Sequence, residues 1–392
     1  MTRLLLHTAV ATALAAGTLG LTQPARTSSA PSSSDGVHTV RVPDGDPDVR
    51  SLAPRTTEPF SMIGVTWDDP HAVLDGTAQV RTRSRESGEW GAWRALDTDV
   101  QTPETGPDRD RAGVRGGTQP LWTGPSDGVE VRVSGEGLPE GLRVELVDPD
   151  GGSDAVDSAV VEPDAVEPAA GAPAAERPAV TSRAAWGADE SLVKDPPTYT
   201  ADTQAMFVHH TAGTNDYTCA ESASIVRGVF LYHVRSNGWN DIGYHFLVDK
   251  CGTVFEGRAG GIDKPVLGAH TYGFNTATSS VSVLGDYGKT TANSAVRESV
   301  AKIAAWKLGL YGIDPTGTTV LTAGADNGKF KAGQTATLHR ISGHRDGYPT
   351  ECPGQYLYDD LPEIRTLAGK AAQAAAQAAP VIEDGATPAL AR

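Results

Sequence analysis

Between residues 60 and 150 the chain alternates or runs apolar in short stretches. Phe60-Ser-Met-Ile-Gly-Val-Thr-Trp67, Ala78–Ser84, Val129–Ser134 and Leu142–Val147 are separated by Gly, Asp and Pro, the pattern of strands joined by turns. Val alternating with Arg or Glu gives a strand one buried and one wet face. This predicts a small antiparallel β-sandwich-like domain over residues 36–150. Ser32 to Gly45, at its start, is polar and reads as poorly ordered. Residues 151–179 are rich in Ala, Pro, Glu and Asp with no apolar period, as in a semi-extended linker.

From residue 180 helical and strand periods interleave. Ala205–His210 predicts a central strand. Ala220 to Ser236 predicts an amphipathic helix with Ile225, Val229 and Tyr232 on one face. Tyr244–Asp249 reads as a strand that turns through Lys250-Cys251-Gly252 into Thr253–Gly257, and Val281–Leu284 as a further buried strand. Asn293-Ser294 caps a helix through Leu310, with Val296, Val300, Ile303, Ala304 and Leu308 on one side and Glu298 four residues before Lys302. Tyr356 to Ala368 is the last packed helix predicted. Strands and helices in this order give an α/β domain over residues 180–370 with one central mixed sheet. The tail, 371–392, is low-complexity Ala, Gln and Pro and reads as frayed or disordered.

At 392 residues the chain exceeds one ordinary domain. Thr2-Arg3 followed by an apolar stretch to Leu21, with small residues near Ala25 and Ala30, predicts a cleaved export signal over residues 1–30. No other run approaches membrane-spanning length, so no membrane association is expected after cleavage. Net charge is −16, which argues against a nucleic-acid partner, because phosphate binding needs a basic stripe. The acid is unevenly placed: 17 basic against 19 acidic side chains leave Pro178 to Lys370 nearly neutral.

The chemistry concentrates in Ser342-Gly-His-Arg-Asp-Gly-Tyr-Pro-Thr-Glu-Cys-Pro353. An imidazole and a thiol stand eight positions apart in a loop broken by Gly347 and Pro349, and such a loop can turn both toward one point, half of a tetrahedral metal site. A third ligand is available where Met206-Phe-Val208 ends in His209-His210. Against the metal stands the disulfide, since a Cys in an exported chain is commonly bridged. Three Cys, at 219, 251 and 352, leave one over, and parity does not say which. Trp90, Trp93 and Trp122 offer either a carbohydrate platform or packing.

Six blocks in order resemble the peptidoglycan recognition protein family, relatives of phage-type zinc amidases. They are Thr181-Ser-Arg-Ala-Ala-Trp-Gly187, Phe207-Val-His-His-Thr-Ala-Gly213, Gly238-Trp-Asn-Asp-Ile-Gly-Tyr-His245, Gly252-Thr-Val-Phe-Glu-Gly-Arg258, Gly268-Ala-His270 with Phe274-Asn275, and Gly343-His-Arg-Asp through Glu351-Cys-Pro353. The resemblance spans about 190 residues and leaves the N-terminal domain uncovered. It implies zinc held by His209, His344 and Cys352, with His210 packed or hydrogen-bonded instead. It implies Tyr244 as oxyanion donor or water-orienting group. Thr350 stands where phage relatives carry a Lys and joins Tyr244 in the catalytic set, which leaves the proton donor to the leaving amine open. Trp239, Arg258, His270 and Asn275 fall where the family lines its peptide groove, though each could equally shape a loop. With Cys352 on zinc, Cys219 and Cys251 are left to pair. The activity implied is N-acetylmuramoyl-L-alanine amidase, in a secreted, cell-wall-associated monomer acting on peptidoglycan. The alternative is recognition without catalysis.

Overall fold

A computed structural model describes residues 36–98, 102–109, 111–151 and 175–378. The expected signal, most of the linker (152–174) and the end of the tail lie outside the described residues.

The first domain is all-β. Its strands are β1 (Val37–Arg41), β2 (Val49–Trp67), β3 (Gly76–Ser84), β4 (Arg94–Leu96), β5 (Gly116–Gly117), β6 (Leu121–Gly135) and β7 (Arg143–Val147). They pair antiparallel in the order β1-β7-β2-β6-β3-β4, with β5 on the end of β2. Register shifts along the long β2–β6 pair bend the ribbon, as bulges do. Val129, Val131 and Val133 of β6 join Ile63, Val65 and Trp67 of β2 in its core. Ser32 to Gly45, expected to be poorly ordered, contains β1: Val37 to Arg41 pair along β7, and Thr39 donates to Glu145 at 2.7 Å. A polar strand at a sheet edge is recruited by backbone pairing, which leaves little hydrophobic signature. Trp122 is buried, while Trp90 and Trp93 are half-buried with Arg81 near both rings and Arg132 over Trp93 at 4.1 Å. Trp122 thus packs in the interior, while Trp90 and Trp93 carry cation–π contacts.

The second domain opens with α1 (Arg183–Trp186), capped by the Ser182 side chain. β8 (Ala205–His210) leads to α2 (Ser222–Leu231), which runs on into a π-type turn, Tyr232–Ser236. Then come β9 (Phe246–Val248), β10 (Val254–Glu256), β11 (Thr278–Val283) and α3 (Ser294–Gly309). Asn293 caps α3, accepting from the Val296 N–H at 3.0 Å. A hairpin absent from the expected elements, β12 (Thr318–Thr322) and β13 (Thr335–His339), precedes β14 (Ile341–Gly343), α4 (His344–Gly347), α5 (Gln355–Asp359) and α6 (Leu361–Ala378). The sheet order is β10-β9-β11-β8-β14, parallel at β9–β11, β11–β8 and β8–β14 and antiparallel at β10–β9. Helices α3 and α6 cover one face through Val296, Val300, Ile303, Leu361 and Ile364. α6 continues through Ala378, so residues 371–378 are helical rather than frayed. Ala is the strongest helix former, and Ala371 and Ala375 pack on the core. A disulfide joins Cys219 to Cys251. Among the described residues no helix is long and apolar enough to cross a membrane.

The two domains share a core. Met62, Trp122 and Val147 of the first sheet pack with Val226, Val229, Phe230 and Tyr232 of the second domain. Gly64 makes the close approach: a Cβ there would lie 2.3 Å from the Tyr232 ring.

Candidate metal centre

Strand parity builds the site. On β8, Met206 and Val208 face the α3–α6 core, while Ala205 and Phe207 face a second cluster with Phe274 and Leu321. His209 follows Phe207's side and His210 the other, the expected alternation of a strand. β14 runs parallel to β8 with Gly343 opposite Val208. The next residue, His344, therefore arrives beside His209, with ring centroids 4.5 Å apart. Both lie at the carboxyl ends of parallel strands, where α/β sheets place their ligands.

The loop after His344 is closed by its own polar groups. The Arg345 N–H donates to the Cys352 carbonyl at 3.0 Å. Asp346 accepts from the Gly343 N–H at 2.9 Å and the Tyr358 hydroxyl at 2.7 Å. These bonds bring Cys352 back to the strand ends, its Sγ 3.7 Å from His209 Nδ1 and accepting the His210 N–H at 3.4 Å. One ligand atom each from His209, His344 and Cys352 lies within 4.8 Å of the others, and all three residues are buried.

Burial, with neighbouring imidazoles adding to it, holds His209 well below the ordinary histidine range and pushes His344 down to about 3. Both rings are thus neutral at physiological pH, the form that ligates metal. The other His209 nitrogen, Nε2, faces the Thr271 hydroxyl at 3.4 Å, the kind of outer partner that fixes a ligating imidazole. Two neutral imidazoles and a sulfur that accepts a backbone N–H fit a zinc ion with one position left for a small ligand. His210 is turned away, accepting from the Tyr287 N–H at 3.1 Å.

Tyr244 borders the cluster, its ring 5.3 Å from that of His209, and burial raises its phenol so that it stays protonated. His270 stands 5.4 Å from the His209 ring. Trp239, Tyr244, His270, Asn275 and His344 line one narrow cleft of about 20 Å³. Arg258 is buried to one side, on the Ile242 carbonyl at 2.9 Å and the Asp108 carboxylate at 2.7 Å. Thr350 faces its own loop, its hydroxyl accepting from the Cys352 N–H at 3.0 Å.

Residues 199–355 match the family described as N-acetylmuramoyl-L-alanine amidase, and residues 18–181 the one described as Rv3811 N-terminal galactose-binding domain-like. Peptidoglycan-recognition protein SC2 of Drosophila melanogaster is 32% identical over 188 residues, 48% of this chain and 85% of that protein. Peptidoglycan recognition protein 1 of Bos taurus is 30% identical over 185 residues, 46% of this chain and 80% of that one. The chain belongs to the peptidoglycan recognition protein family. Among solved structures, Drosophila PGRP-LB matches with 22% identity and a TM-score of 0.36, covering 46% of this chain and 90% of that one.

This member of the peptidoglycan recognition protein family places groups at the cleft that its motifs do not contain. Gln119, from the first domain, donates to the Tyr244 hydroxyl at 3.2 Å. Glu104 accepts from Asn275 Nδ2 at 2.7 Å, and Asp108 accepts from the Asn240 N–H at 2.7 Å. Burial alone would raise the Asp108 pKa, but the Arg258 charge and hydrogen bond bring it below the usual carboxylate range. The signal available was length: the stretch between β4 and β5 is long, polar and without period, and such loops are commonly functional.

Proposed function

We propose that the chain is an exported zinc amidase that hydrolyses the amide between the lactyl group of N-acetylmuramic acid and L-Ala of the peptidoglycan stem peptide. The observation that carries this reading is the convergence of His209, His344 and Cys352 on one buried point beside Tyr244. Membership of an amidase-type family supports it. Bound there, zinc would supply a Lewis acid and a water acidic enough to attack at neutral pH.

The chain's own residues do the rest. The His210 N–H on Cys352 Sγ favours the thiolate, and Thr271 holds the His209 ring. The Tyr244 hydroxyl, kept protonated by burial, is a donor for the oxyanion that develops on the substrate carbonyl. Burial of the cluster strengthens each of these interactions by excluding water.

The test is digestion of purified peptidoglycan by wild type and Cys352→Ser, each with and without a chelator, read as release of L-Ala-terminated peptide by mass spectrometry. Release by wild type, abolished by chelator and by the substitution, is expected. Binding to the polymer without release, with zinc supplied, would replace catalysis by recognition alone.

A further inference from the structure

The cleft beside the metal centre is closed from outside its own domain. A strap from the first domain, residues 102–109 and 111–119, packs against its walls, with Gln119 among the lining residues. Glu104 accepts the Asn275 N–H at 3.2 Å and its side-chain amide at 2.7 Å. Asp108 accepts from Arg258 at 2.7 Å and from the Asn240 N–H at 2.7 Å. Val114 packs on Trp239, and Gln119 reaches the Tyr244 hydroxyl at 3.2 Å. The strap thus engages Trp239, Tyr244, Arg258 and Asn275 at once. Glu104 and Asp108 are 7% and 1% exposed. The cleft that remains, about 20 Å³, holds about one water and no peptide.

Two kinds of contact join the domains, and they differ in what can replace them. The β2–α2 contact is apolar and shared with the core, so separating it would expose hydrocarbon to water. The strap is held instead by polar contacts: buried carboxylates on a guanidinium, an amide and backbone N–H groups, Arg111 on Asp195 and Asn240, and the Arg115 N–H on the Asn237 carbonyl. Its buried apolar cluster, Val114 with Trp239 and Ala269, is small. A buried ion pair contributes little net stability, because desolvation offsets its Coulomb gain. A ligand that brings its own carboxylates and amides satisfies the same donors and displaces the strap at low net cost. The apolar interface can stay in place while this happens.

We propose that the strap is an intramolecular latch that occupies the cleft and closes the metal centre until a carboxylate-bearing peptide, the stem peptide of the polymer, displaces it. The identity of that peptide rests on the function proposed above, whereas the closure does not. A closed latch lowers apparent substrate affinity by the fraction of molecules that are open.

Two full-length variants release the strap by different routes. Glu104→Gln/Asp108→Asn removes its charges while keeping side-chain shape. Arg111→Ala/Val114→Ser leaves both carboxylates intact and removes the Arg111 bonds to Asp195, 2.6 Å, and Asn240, 3.0 Å, and the contact with Trp239. Trypsin cleavage at Arg109 and Arg111 in the first variant, and at Arg109 in the second, verifies that the strap has lifted. The first readout is alkylation of Cys352 by iodoacetamide in metal-free protein, where the disulfide hides the other two sulfurs. The second is hydrolysis of a soluble muramyl pentapeptide by zinc-loaded protein. About tenfold faster alkylation and about tenfold higher kcat/KM in both variants are expected. Unchanged alkylation with the strap lifted would overturn the latch. Faster alkylation with equal or lower kcat/KM would also overturn it, making the strap a permanent wall of the substrate site. Faster alkylation with no hydrolysis by any protein would uphold the closure and sink the amidase reading instead.

Discussion

Replacing both bridged cysteines, Cys219→Ser/Cys251→Ser, isolates the contribution of the disulfide. The bridge closes a loop whose ends lie 32 positions apart, with Cα atoms 6.4 Å apart. For a closed loop of about 33 residues, chain entropy gives about 3.7 kcal/mol of stabilisation through the unfolded state. The native geometry does not depend on the sulfurs alone. The Asp249 carboxylate accepts from Ser222 Oγ at 2.8 Å, the Cys251 N–H at 2.9 Å and the Thr253 N–H at 2.8 Å, bracing the same junction. Neither cysteine is in the core, so the serines leave no cavity and the variant folds. At about 2–4 °C per kcal/mol for a domain of this size, Tm should fall by about 7–15 °C. Calorimetry on metal-free protein is the assay, because bound metal would add its own linkage. A fall below about 2 °C would refute the loop-entropy account. Three reacting thiols in wild type, denatured without reductant, would refute the bridge itself.

Other regions give independent outcomes. Burial pushes His233 and His245 down to about 3. The unfolded chain protonates each near 6.5 while the native state does not, so stability is lost as pH falls below about 6.5. Between pH 7 and 5 His245→Gln should lose about 2 kcal/mol less than wild type in urea titrations; equal losses would refute the shift. Lys307 carries the same sign in a higher pH window. Burial lowers it to about 7, and its amine donates to the Ile262 and Lys264 carbonyls at 2.7 and 2.6 Å. The native state sheds that proton before the unfolded chain does, so stability rises with pH above about 7. Relative to Lys307→Met, wild type should gain about 2 kcal/mol from pH 7 to 9, and a constant gap would count against it. Finally, Gly64→Ala drives a methyl into Tyr232 and should destabilise by about 1–3 kcal/mol. Gly64→Ala/Tyr232→Leu should recover part of that, and no recovery would place the strain elsewhere.

Elements that bury one periodic face were legible from sequence. β8 begins and ends where the apolar run Ala205–His210 does, and α3 starts at the cap that Asn293 supplies. The metal cluster was legible for another reason: its ligands sit in blocks whose order along the chain carries the resemblance, although periodicity alone leaves the choice between His209 and His210 open. β1 and the end of α6 escaped because a polar strand and an Ala-rich helix look like loop and low complexity until a partner is known.

The docking of the two domains had a trace that strand alternation conceals. A strand with one wet face should carry polar residues at every second position. Phe60 to Trp67 does not: Phe60, Met62 and Gly64 fill one phase while Ile63, Val65 and Trp67 fill the other. Apolar residues in both phases mark a strand covered on both sides. Here every residue of that run is buried, Ile63, Val65 and Trp67 in the sheet's own core, Met62 against α2 and Gly64 against Tyr232 just after it. The strap left no such trace. Most of its contacts are carboxylates, guanidiniums and amides, which a sequence presents as an ordinary solvated loop, and only the fold sets Glu104 and Asp108 against Asn275 and Arg258. A docked apolar strand can be read ahead of structure from its doubled phase, whereas a polar latch is invisible until its partners are in place.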